Sequence, residues 1–315
     1  MTRIFMFPGQ SSRYPEMIDR ILDAWPSGSD IVGRASDLLG RNLRSHYRQG
    51  PAAFEKNRDV QVGVFLTSYL HCCALEAAGV TAAASLGLSL GEYNHLVHIG
   101  ALDFEDALRL VDARGRVYDQ GPSGMMACVQ PVSVEDVEPL IERVAAHGEV
   151  SIANYNSPSQ QVVAGDCPTV EALLQLCEDE LFVEPIIIER SIPMHTPRFR
   201  PAAELLRPYL VSAPFRTPLL PYLPNVTAQP LEQPRPEDFV ELLFQHVYSP
   251  VRWKASIDLM VERYPQAEFV EVGPGGVLTN LLQKRWHAVR KFKSDSRSDL
   301  AKNLGSLRGQ LDAAP

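Results

Sequence analysis

The segment from Ala82 to Tyr93 constrains the fold of this chain more than any other stretch. Small and apolar residues lead into a Gly-x-Ser-x-Gly motif centred on Ser89, and a helix-forming run from Glu92 to Val97 follows at once. This order of residues is typical of a strand that ends in a tight turn, with the serine at the apex of the turn and a helix directly after it. The pattern predicts a nucleophile elbow with Ser89 as the nucleophile. The same two glycines around a serine also occur in ordinary turns.

Length and charge narrow the class of protein. A chain of 315 residues is long for one simple core, so we expect two structural units. The formal net charge of −8, from 30 basic against 38 acidic residues, leaves no broad basic face. The composition therefore argues against a protein that binds nucleic acid.

The N-terminus and the cysteines predict a cytoplasmic protein. Residues 1–8 are too short and too soon interrupted by proline for a signal peptide, and we find no apolar run of the ~20 residues that span a bilayer. The cysteines show no C-x-x-C spacing, which favours reduced and mostly buried thiols and no metal site. They are Cys72, Cys73, Cys128, Cys167 and Cys177.

Two further segments indicate an open sheet with ligand-binding loops. The apolar run Arg3–Phe7 predicts a buried strand, and the loop that follows makes Gln10 a candidate polar contact, the alternative being a glutamine that faces water. Val60–Ala78 is apolar on all sides, which predicts a buried helix against the sheet that carries Ser89.

Arg114 lies on the apolar side of a predicted helix that begins at Asp103. Ala107, Leu110 and Val111 share its face at helical spacing. A buried guanidinium needs an anionic partner, and no acid is obvious nearby in sequence. Two interpretations stay open, a bound carboxylate and a structural ion pair with a distant Asp or Glu.

Residues 123–192 predict a small unit inserted into a larger one. Strand and helix patterns follow one another in the order β-α-β-β-α-β, which is typical of a ferredoxin-like fold. The predicted elements are strands Met125–Gln130, Val150–Asn156, Gln161–Ala164 and Phe182–Ile188, and helices Val134–Ala146 and Pro168–Glu180. We therefore predict an α/β protein. Residues 1–122 and 193–315 form a large α/β-hydrolase-like domain with a parallel sheet, and the ferredoxin-like subdomain is inserted between them.

Among the eight histidines, His195 is the best candidate for a general base. It follows the last strand of the small unit, in a loop stiffened by Pro193 and Pro197. Clefts between domains are favoured positions for active sites. His95 and His98 follow the elbow closely, but on the helix that emerges from it they would point away from Ser89 or line its base.

Several motifs, taken in chain order, match one family together. They are Phe7-Pro8-Gly9-Gln10, Gly87-Leu88-Ser89-Leu90-Gly91-Glu92, Arg114-Gly115, Pro193-Met194-His195, Asn225-Val226-Thr227, Ser249-Pro250-Val251-Arg252-Trp253 and Glu271-Val272-Gly273-Pro274-Gly275. On these motifs the chain resembles the malonyl-CoA:acyl-carrier-protein transacylases, and in type the stand-alone acyltransferases of polyketide synthases. The resemblance covers about residues 3–285, and that family carries its inserted unit where the patterning predicts one here.

The resemblance implies a Ser-His dyad. Ser89 would carry the acyl group, and His195 would be its general base and later the acid that releases the new thioester. The backbone carbonyl of His246 would orient His195, so the side chain of His246 need not matter. The reaction would be a two-step transfer through an acyl-serine, with ping-pong kinetics.

The resemblance also implies the binding groups and the partners. Gln10 and the backbone N–H of Leu90 would form the oxyanion hole, and Arg114 would bind the free carboxylate of a malonyl group. No cofactor would be bound, because the substrates themselves carry CoA or phosphopantetheine. The acceptor would be an acidic acyl carrier protein, for which the basic run Lys284–Lys293 is a candidate docking patch. Neither nucleic acid nor a membrane is an expected partner.

Five positions depart from the pattern usual in that family. Leu88 stands where histidine is usual, Ser11 where glycine is, and Arg13 where glutamine is. Tyr118 replaces a common methionine, and Met194 replaces serine or phenylalanine beside the catalytic histidine. All of them except Arg13 are expected to line the substrate pocket.

The acyl group is left open by these departures. Leu88 fits a less polar or larger acyl chain, whereas Arg114 favours a carboxylated one. The first hypothesis is transfer of a malonyl-type or other acyl unit from CoA or a carrier protein to an acyl carrier protein. The alternatives are transfer of a non-malonyl starter between two carrier proteins, as in macrolactam-type polyketide pathways, an acyl-carrier-protein hydrolase that clears stalled carriers, and a non-catalytic scaffold.

Overall fold

Two separate sheets organise the protein in a computed structural model that describes residues 2–295 and Gly305. The strands are β1 Arg3–Phe7, β2 Ala84–Gly87, β3 Met125–Val129, β4 Val150–Ser157, β5 Gln160–Gly165, β6 Ile186–Glu189, β7 Glu268–Glu271 and β8 Arg290–Lys293. The helices are α1 Met17–Ala24, α2 Ser29–Leu39, α3 Leu43–Tyr47, α4 Asn57–Ala77, α5 Gly91–His98, α6 Phe104–Tyr118, α7 Val134–Val144, α8 Cys167–Leu181, α9 Arg200–Ser212, α10 Pro236–Tyr248, α11 Trp253–Arg263 and α12 Val277–Leu281.

The larger sheet is parallel throughout and has the order β2-β1-β7-β8. Strands β1, β2 and β7 are short and buried along their whole length, as expected of strands that are covered on both faces. Phe7 pairs with Gly87, so β1 and β2 end at the same edge of the sheet. This register places the loop after β1, which holds Gln10, beside the turn after β2, which holds Ser89.

The smaller sheet is antiparallel and has the order β4-β5-β3-β6. Together with α7 and α8 it has the predicted β-α-β-β-α-β succession, and it encloses an apolar core of its own that includes Val129, Val137 and Leu173. The prediction of an α/β fold with a parallel sheet and a small inserted subdomain is confirmed. The exact domain boundaries stay a prediction.

The last strand of the small sheet is shorter than predicted. The helix α8 runs to Leu181, and Phe182 ends it in the left-handed conformation with φ of 54°, so β6 begins only at Ile186. Phe182 is 87% exposed. An apolar run was therefore a misleading strand signal here, because its first residue serves as a helix cap.

Part of the basic run near residue 290 forms β8, the exposed edge strand of the larger sheet. Strand β8, which the sequence analysis missed, pairs in parallel with β7. Arg290 forms an ion pair with Glu268, and the Lys291 ammonium donates to the backbone carbonyls of Thr279 and Leu282. These contacts engage two of the charges that the docking hypothesis needs.

Helix α4 begins three residues before the predicted run Val60–Ala78 and ends one residue before its end. With 21 residues it has the length and composition of a membrane span, but 78% of its apolar window is buried inside the protein. Phe65 of α4 lies in the same core as Phe5 and Phe7 of β1, as predicted. The helix is thus accounted for as a core helix, and the cytoplasmic location stays a prediction.

Candidate active site

The turn around Ser89 has the geometry of a nucleophile elbow. Strand β2 ends at Gly87, Ser89 adopts a left-handed φ of 51°, and helix α5 begins at Gly91. A Cβ atom on Gly91 would lie 2.0 Å from the carbonyl oxygen of Phe7, and one on Gly87 would lie 2.1 Å from the backbone of Gly91. Only glycine fits at both positions, because the crossing backbones leave no room for a side chain.

Ser89 and His195 are in direct contact. The Oγ atom of Ser89 lies 2.7 Å from Nε2 of His195, and both residues are buried. On the other side of the ring, Nδ1 lies 2.7 Å from the carbonyl oxygen of His246. A carbonyl can only accept, so Nδ1 carries the proton and Nε2 presents its lone pair to the serine hydroxyl.

The surroundings of His195 keep its imidazole neutral. Burial and the positive charge of Arg114 outweigh the hydrogen bond to the His246 carbonyl, and together they lower the pKa of His195 to about 3. A neutral ring can accept a proton from Ser89. Its basicity is held back by the adjacent guanidinium, which a bound anion would offset.

The two histidines that follow the elbow face a different residue. His95 and His98 both contact the hydroxyl of Ser85, at 2.7 Å and 2.9 Å, and His95 also accepts the backbone N–H of Leu223. They therefore lie under the sheet, on the side away from Ser89, as the sequence analysis expects.

Gln10 and Leu90 lie on either side of the nucleophile. Gln10 lines the same cavity as Ser89, with its side chain 3.4 Å from Asn57 and 3.3 Å from Gln61. The backbone N–H of Leu90, at the start of α5, has no hydrogen-bond partner within residues 2–295. In this structure the Gln10 amide nitrogen donates to Asn57, so an oxyanion hole formed by Gln10 and the Leu90 amide stays a prediction.

Arg114 is fully buried behind the nucleophile. Its Nη1 atom donates to Oε1 of Gln61 over 2.7 Å, and Nη2 lies 3.5 Å from Oγ of Ser89. The guanidinium also packs on the ring of Tyr118 at 4.2 Å and that of Tyr93 at 5.4 Å. Within residues 2–295 it forms no ion pair, so the structure does not provide the distant acid that the sequence analysis held open.

A cavity of about 90 Å³ opens above Ser89 and His195. Leu88 and Met194 line it, as predicted. Two expectations about its wall were wrong: Arg13 lines it, whereas Tyr118 is completely buried and packs between Arg114 and Phe199. The lining residues are Gly9, Gln10, Ser11, Arg13, Leu88, Ser89, Met126, Asn154, Asn156, Val162, Ile188, Glu189, Met194, His195, Val277 and Leu281.

Sequence reasoning assigned no role to Asn225 or Gln61. The Asn225 side chain accepts the Ser89 backbone N–H over 2.8 Å and donates to the Gly87 carbonyl over 2.7 Å, so it braces both sides of the elbow. Gln61 bridges Gln10 and Arg114. A polar residue in an otherwise apolar helix was a signal for Gln61. Asn225, which lies 136 residues beyond Ser89, had no local signal beyond its motif.

No cluster of three or more metal-ligating side chains occurs in the part of the chain that the structure describes. The groups that surround the nucleophile are amide, guanidinium and imidazole side chains. They suit an anionic or carbonyl-containing substrate better than a metal ion.

An α/β fold with a buried serine–histidine pair at an elbow defines a class of serine-nucleophile enzymes. Comparison with known proteins gives the family. Residues 4–309 match the acyl transferase domain family, and the chain belongs to it. The malonyl CoA-acyl carrier protein transacylase of Bacillus subtilis (strain 168) is 30% identical over 300 residues, which cover 94% of this chain and 93% of that protein.

Two solved structures are closely similar. The malonyl-CoA:acyl-carrier-protein transacylase (MCAT) of Streptococcus pneumoniae aligns with a TM-score of 0.88 and 32% identity, over 97% of this chain and 100% of that one. A malonyl-transacylase in complex with its type II polyketide synthase acyl-carrier protein aligns with a TM-score of 0.89 and 28% identity, over the same shares.

Proposed function

We propose that this acyltransferase moves a malonyl-type acyl group from CoA to the phosphopantetheine thiol of an acyl carrier protein, with Ser89 as the acyl carrier. One observation carries the proposal: a buried guanidinium without an ion-pair partner among residues 2–295 lies 3.5 Å from a serine that contacts a neutral histidine. The names of the relatives support the same donor and acceptor.

In the first half-reaction Ser89 attacks the thioester carbonyl of the donor. Nε2 of His195 takes the hydroxyl proton as the new C–O bond forms, and the Gln10 side chain and the Leu90 amide donate to the developing oxyanion. Collapse of the tetrahedral intermediate breaks the C–S bond. The proton on His195 then leaves with the CoA thiolate, which restores the neutral ring.

The second half-reaction reverses these steps with a different thiol. His195 takes the proton of the carrier's phosphopantetheine thiol, and the thiolate attacks the acyl-serine ester. The oxyanion contacts are used again, and the proton returns to Oγ of Ser89 as the C–O bond breaks. Water must be kept from the ester between the two steps, and the burial of Ser89 and His195 serves this purpose.

Arg114 favours a carboxylated acyl group. A substrate carboxylate that pairs with the guanidinium would also offset the charge that depresses the pKa of His195. A donor without a carboxylate would leave that charge uncompensated. Arg114 would thus contribute to both binding and the basicity of His195.

The cavity size favours a short acyl group. A volume of about 90 Å³ is a few times the ~30 Å³ that one water molecule takes up in the liquid, which is the scale of a short acyl group. Leu88 and Met194 supply an apolar wall around its methylene carbon. A long starter acyl chain, as in a macrolactam-type polyketide pathway, would need more room than this volume.

The alternative of a carrier-protein hydrolase is disfavoured by the same residues. A hydrolase has no need of a buried guanidinium for the free end of a small acyl group. A scaffold function would leave the contact between Ser89 and His195 without a purpose. Polyketide biosynthesis as the setting rests on the likeness to the complex that contains a polyketide carrier protein.

Mass spectrometry of the intact protein tests the proposal. After incubation with malonyl-CoA we expect a malonyl adduct that is absent from Ser89→Ala and that disappears on addition of a holo acyl carrier protein, which gains the same mass. Free malonate with no acylated carrier would favour the hydrolase. An adduct from acyl-carrier-protein donors but not from any acyl-CoA would favour transfer between carriers.

A further inference from the structure

His195 is held by one hydrogen bond on the side away from Ser89. The imidazole can turn about its Cβ–Cγ bond, and the bond from Nδ1 to the His246 carbonyl is the hydrogen bond on this side that opposes such a turn. The contact from Nε2 to Ser89 opposes that rotation only while Oγ is free. Once the serine is esterified, another contact must hold the plane of the ring.

The side chain of His246 provides such a contact. Its ring stacks on that of His195 with centroids 4.9 Å apart and planes inclined by 28°. It is 1% exposed, and its Nδ1 atom lies 3.4 Å from Oε2 of Glu92. The ring is therefore placed between the catalytic histidine and a buried carboxyl group.

Glu92 connects this histidine to the nucleophile. It is fully buried at the start of α5, where Oε1 accepts the hydroxyl of Tyr222 and Oε2 accepts the backbone N–H of Asn225 over 3.3 Å. The side chain of Asn225 in turn holds the backbone N–H of Ser89. One carboxyl group thus reaches both members of the dyad, through two different neighbours.

We propose that Glu92 and the side chain of His246 are positioning residues that hold Ser89 and His195 in register through both half-reactions. The inference rests on the proposed function of the dyad. It differs from the role implied by the resemblance, in which only the backbone carbonyl of His246 matters. Neither side chain touches the reacting atoms, so each acts through its neighbour.

The pair is suited to positioning because it adds no charge beside the dyad. Burial raises the pKa of Glu92 to about 8 and lowers that of His246 well below its usual value. Both shifts favour an uncharged pair, a protonated Glu92 beside a neutral His246 ring. The pair can then stack on His195 without opposing its protonation.

Four variants test the inference: His246→Leu, His246→Phe, Glu92→Gln and the double variant Glu92→Gln/His246→Leu. All keep the backbone carbonyl at position 246, and His246→Phe also keeps an aromatic face. His71→Leu is the matched control, since His71 is equally buried but belongs to α4 and does not contact the dyad. The readouts are kcat and KM with malonyl-CoA, and the rate at which p-nitrophenyl acetate acetylates Ser89.

We expect His246→Leu and Glu92→Gln each to lower kcat and the acetylation rate about 10-fold or more, with KM changed less than about 3-fold. The double variant should lose no more than the worse single variant, because both act through one unit. His246→Phe should recover most of the loss. The ring N–H resonance of the His195 Nδ1 proton should broaden in His246→Leu and stay sharp in His71→Leu.

Acetylation by p-nitrophenyl acetate separates this inference from the proposed function. A wild type that is acetylated but ignores malonyl-CoA contradicts the proposed acyl donor and leaves the positioning test intact. Rates in His246→Leu and Glu92→Gln that equal the wild-type rate would overturn the positioning role. Additive losses in the double variant, or no recovery in His246→Phe, would overturn it as well, as would a wild type that does not react at all.

Discussion

The guanidinium of Arg114 donates to the side-chain oxygen of Gln61 over 2.7 Å, a neutral contact for a fully buried arginine. A buried charge usually has an opposite charge beside it, since desolvation is costly. Packing on the rings of Tyr93 and Tyr118 compensates part of that cost. The arrangement keeps the guanidinium in place and leaves its charge available for a substrate carboxylate.

Arg114→Ala should lower kcat/KM for malonyl-CoA by the equivalent of about 2–5 kcal/mol, because it removes one partner of a desolvated charge pair. Acetylation of Ser89 by p-nitrophenyl acetate, which has no carboxylate, should not fall with it. Steady-state kinetics and ester turnover measure the two effects. Unchanged kinetics with malonyl-CoA would remove the carboxylate role from Arg114.

Gln61→Glu should block carboxylated donors while it preserves the fold, because the new carboxylate would pair with Arg114 in place of the substrate. We expect KM for malonyl-CoA to rise at least about 10-fold. Gln61→Leu is the comparison: it leaves Nη1 unpaired and should lower the free energy of unfolding by about 1–3 kcal/mol. Urea unfolding and kinetics distinguish the two variants, and a Gln61→Glu protein with normal KM would contradict the expectation.

Asn225→Ala should weaken the elbow, because the Ser89 N–H and the Gly87 carbonyl both lose a buried partner. We expect the free energy of unfolding to fall by about 1–3 kcal/mol for each unsatisfied group. Asn225→Asp keeps the acceptor for Ser89 but faces the Gly87 carbonyl with a carboxylate, so it should rescue little. Denaturant titration measures both, and a stable, fully active Asn225→Ala protein would refute the bracing role.

Gly91→Ala should prevent folding or strongly destabilise the protein, because the added Cβ would lie 2.0 Å from the Phe7 carbonyl oxygen. Gly33→Ala is the control, since the exposed Gly33 in α2 has nothing within 4 Å of its added Cβ. There we expect a gain of roughly 0.5–1 kcal/mol from helix propensity. Soluble yield and thermal unfolding compare the two, and a Gly91→Ala protein as stable as wild type would show that the elbow relaxes.

Acid should destabilise the protein at pH values well above the range in which carboxyl groups usually titrate. Burial lowers the pKa to about 4 for His71 and His98 and to about 3 for His95 and His195. The unfolded chain binds these protons near pH 6.5 and the folded one does not, so the free energy of unfolding falls as pH drops from 6.5 towards 4. The slope is at most about 1.4 kcal/mol per pH unit for each histidine.

One buried group opposes this trend. The pKa of Glu92 is raised to about 8, so its contribution to stability is lost as pH rises from about 4.5 to 8. The urea midpoint should still fall between pH 7 and pH 5. His71→Leu should reduce the slope of that fall, because one fewer histidine binds a proton on unfolding. A midpoint that does not change over this range would contradict the burial of these histidines.

The sequence predicted those parts of the site in which a chemically active residue lies within a recognisable local pattern. The elbow around Ser89, the strand Arg3–Phe7 and the succession of elements in the small unit each depend on neighbours in the chain, and the structure has them where they were predicted. Helical spacing also placed Arg114 on a buried face. Helical spacing does not indicate which side chain of another helix or strand will contact that residue.

Where the structure differs from the sequence-based predictions, the reason is a contact or a turn that the local pattern does not indicate. Tyr118 was expected to line the pocket and lies one helix turn after Arg114, yet the guanidinium lies over its ring and covers it. Arg13 lines the cavity because a short turn after β1 brings it there. Strand β8 was missed because its four residues are mostly charged and exposed, and only pairing with β7 makes them a strand.

The sequence by itself determined the elbow, the two-unit α/β organisation and the candidate nucleophile at the apex of the elbow, since these follow from glycine sterics and from short-range periodicity. Only the tertiary structure decided which groups surround that nucleophile. Asn225 and His246 reach Ser89 and His195 across long stretches of chain, and Gln61 comes to Arg114 from a different helix. Contacts of that range arise when β1, β2 and the helices pack together, because the burial of apolar faces brings distant polar residues to one place.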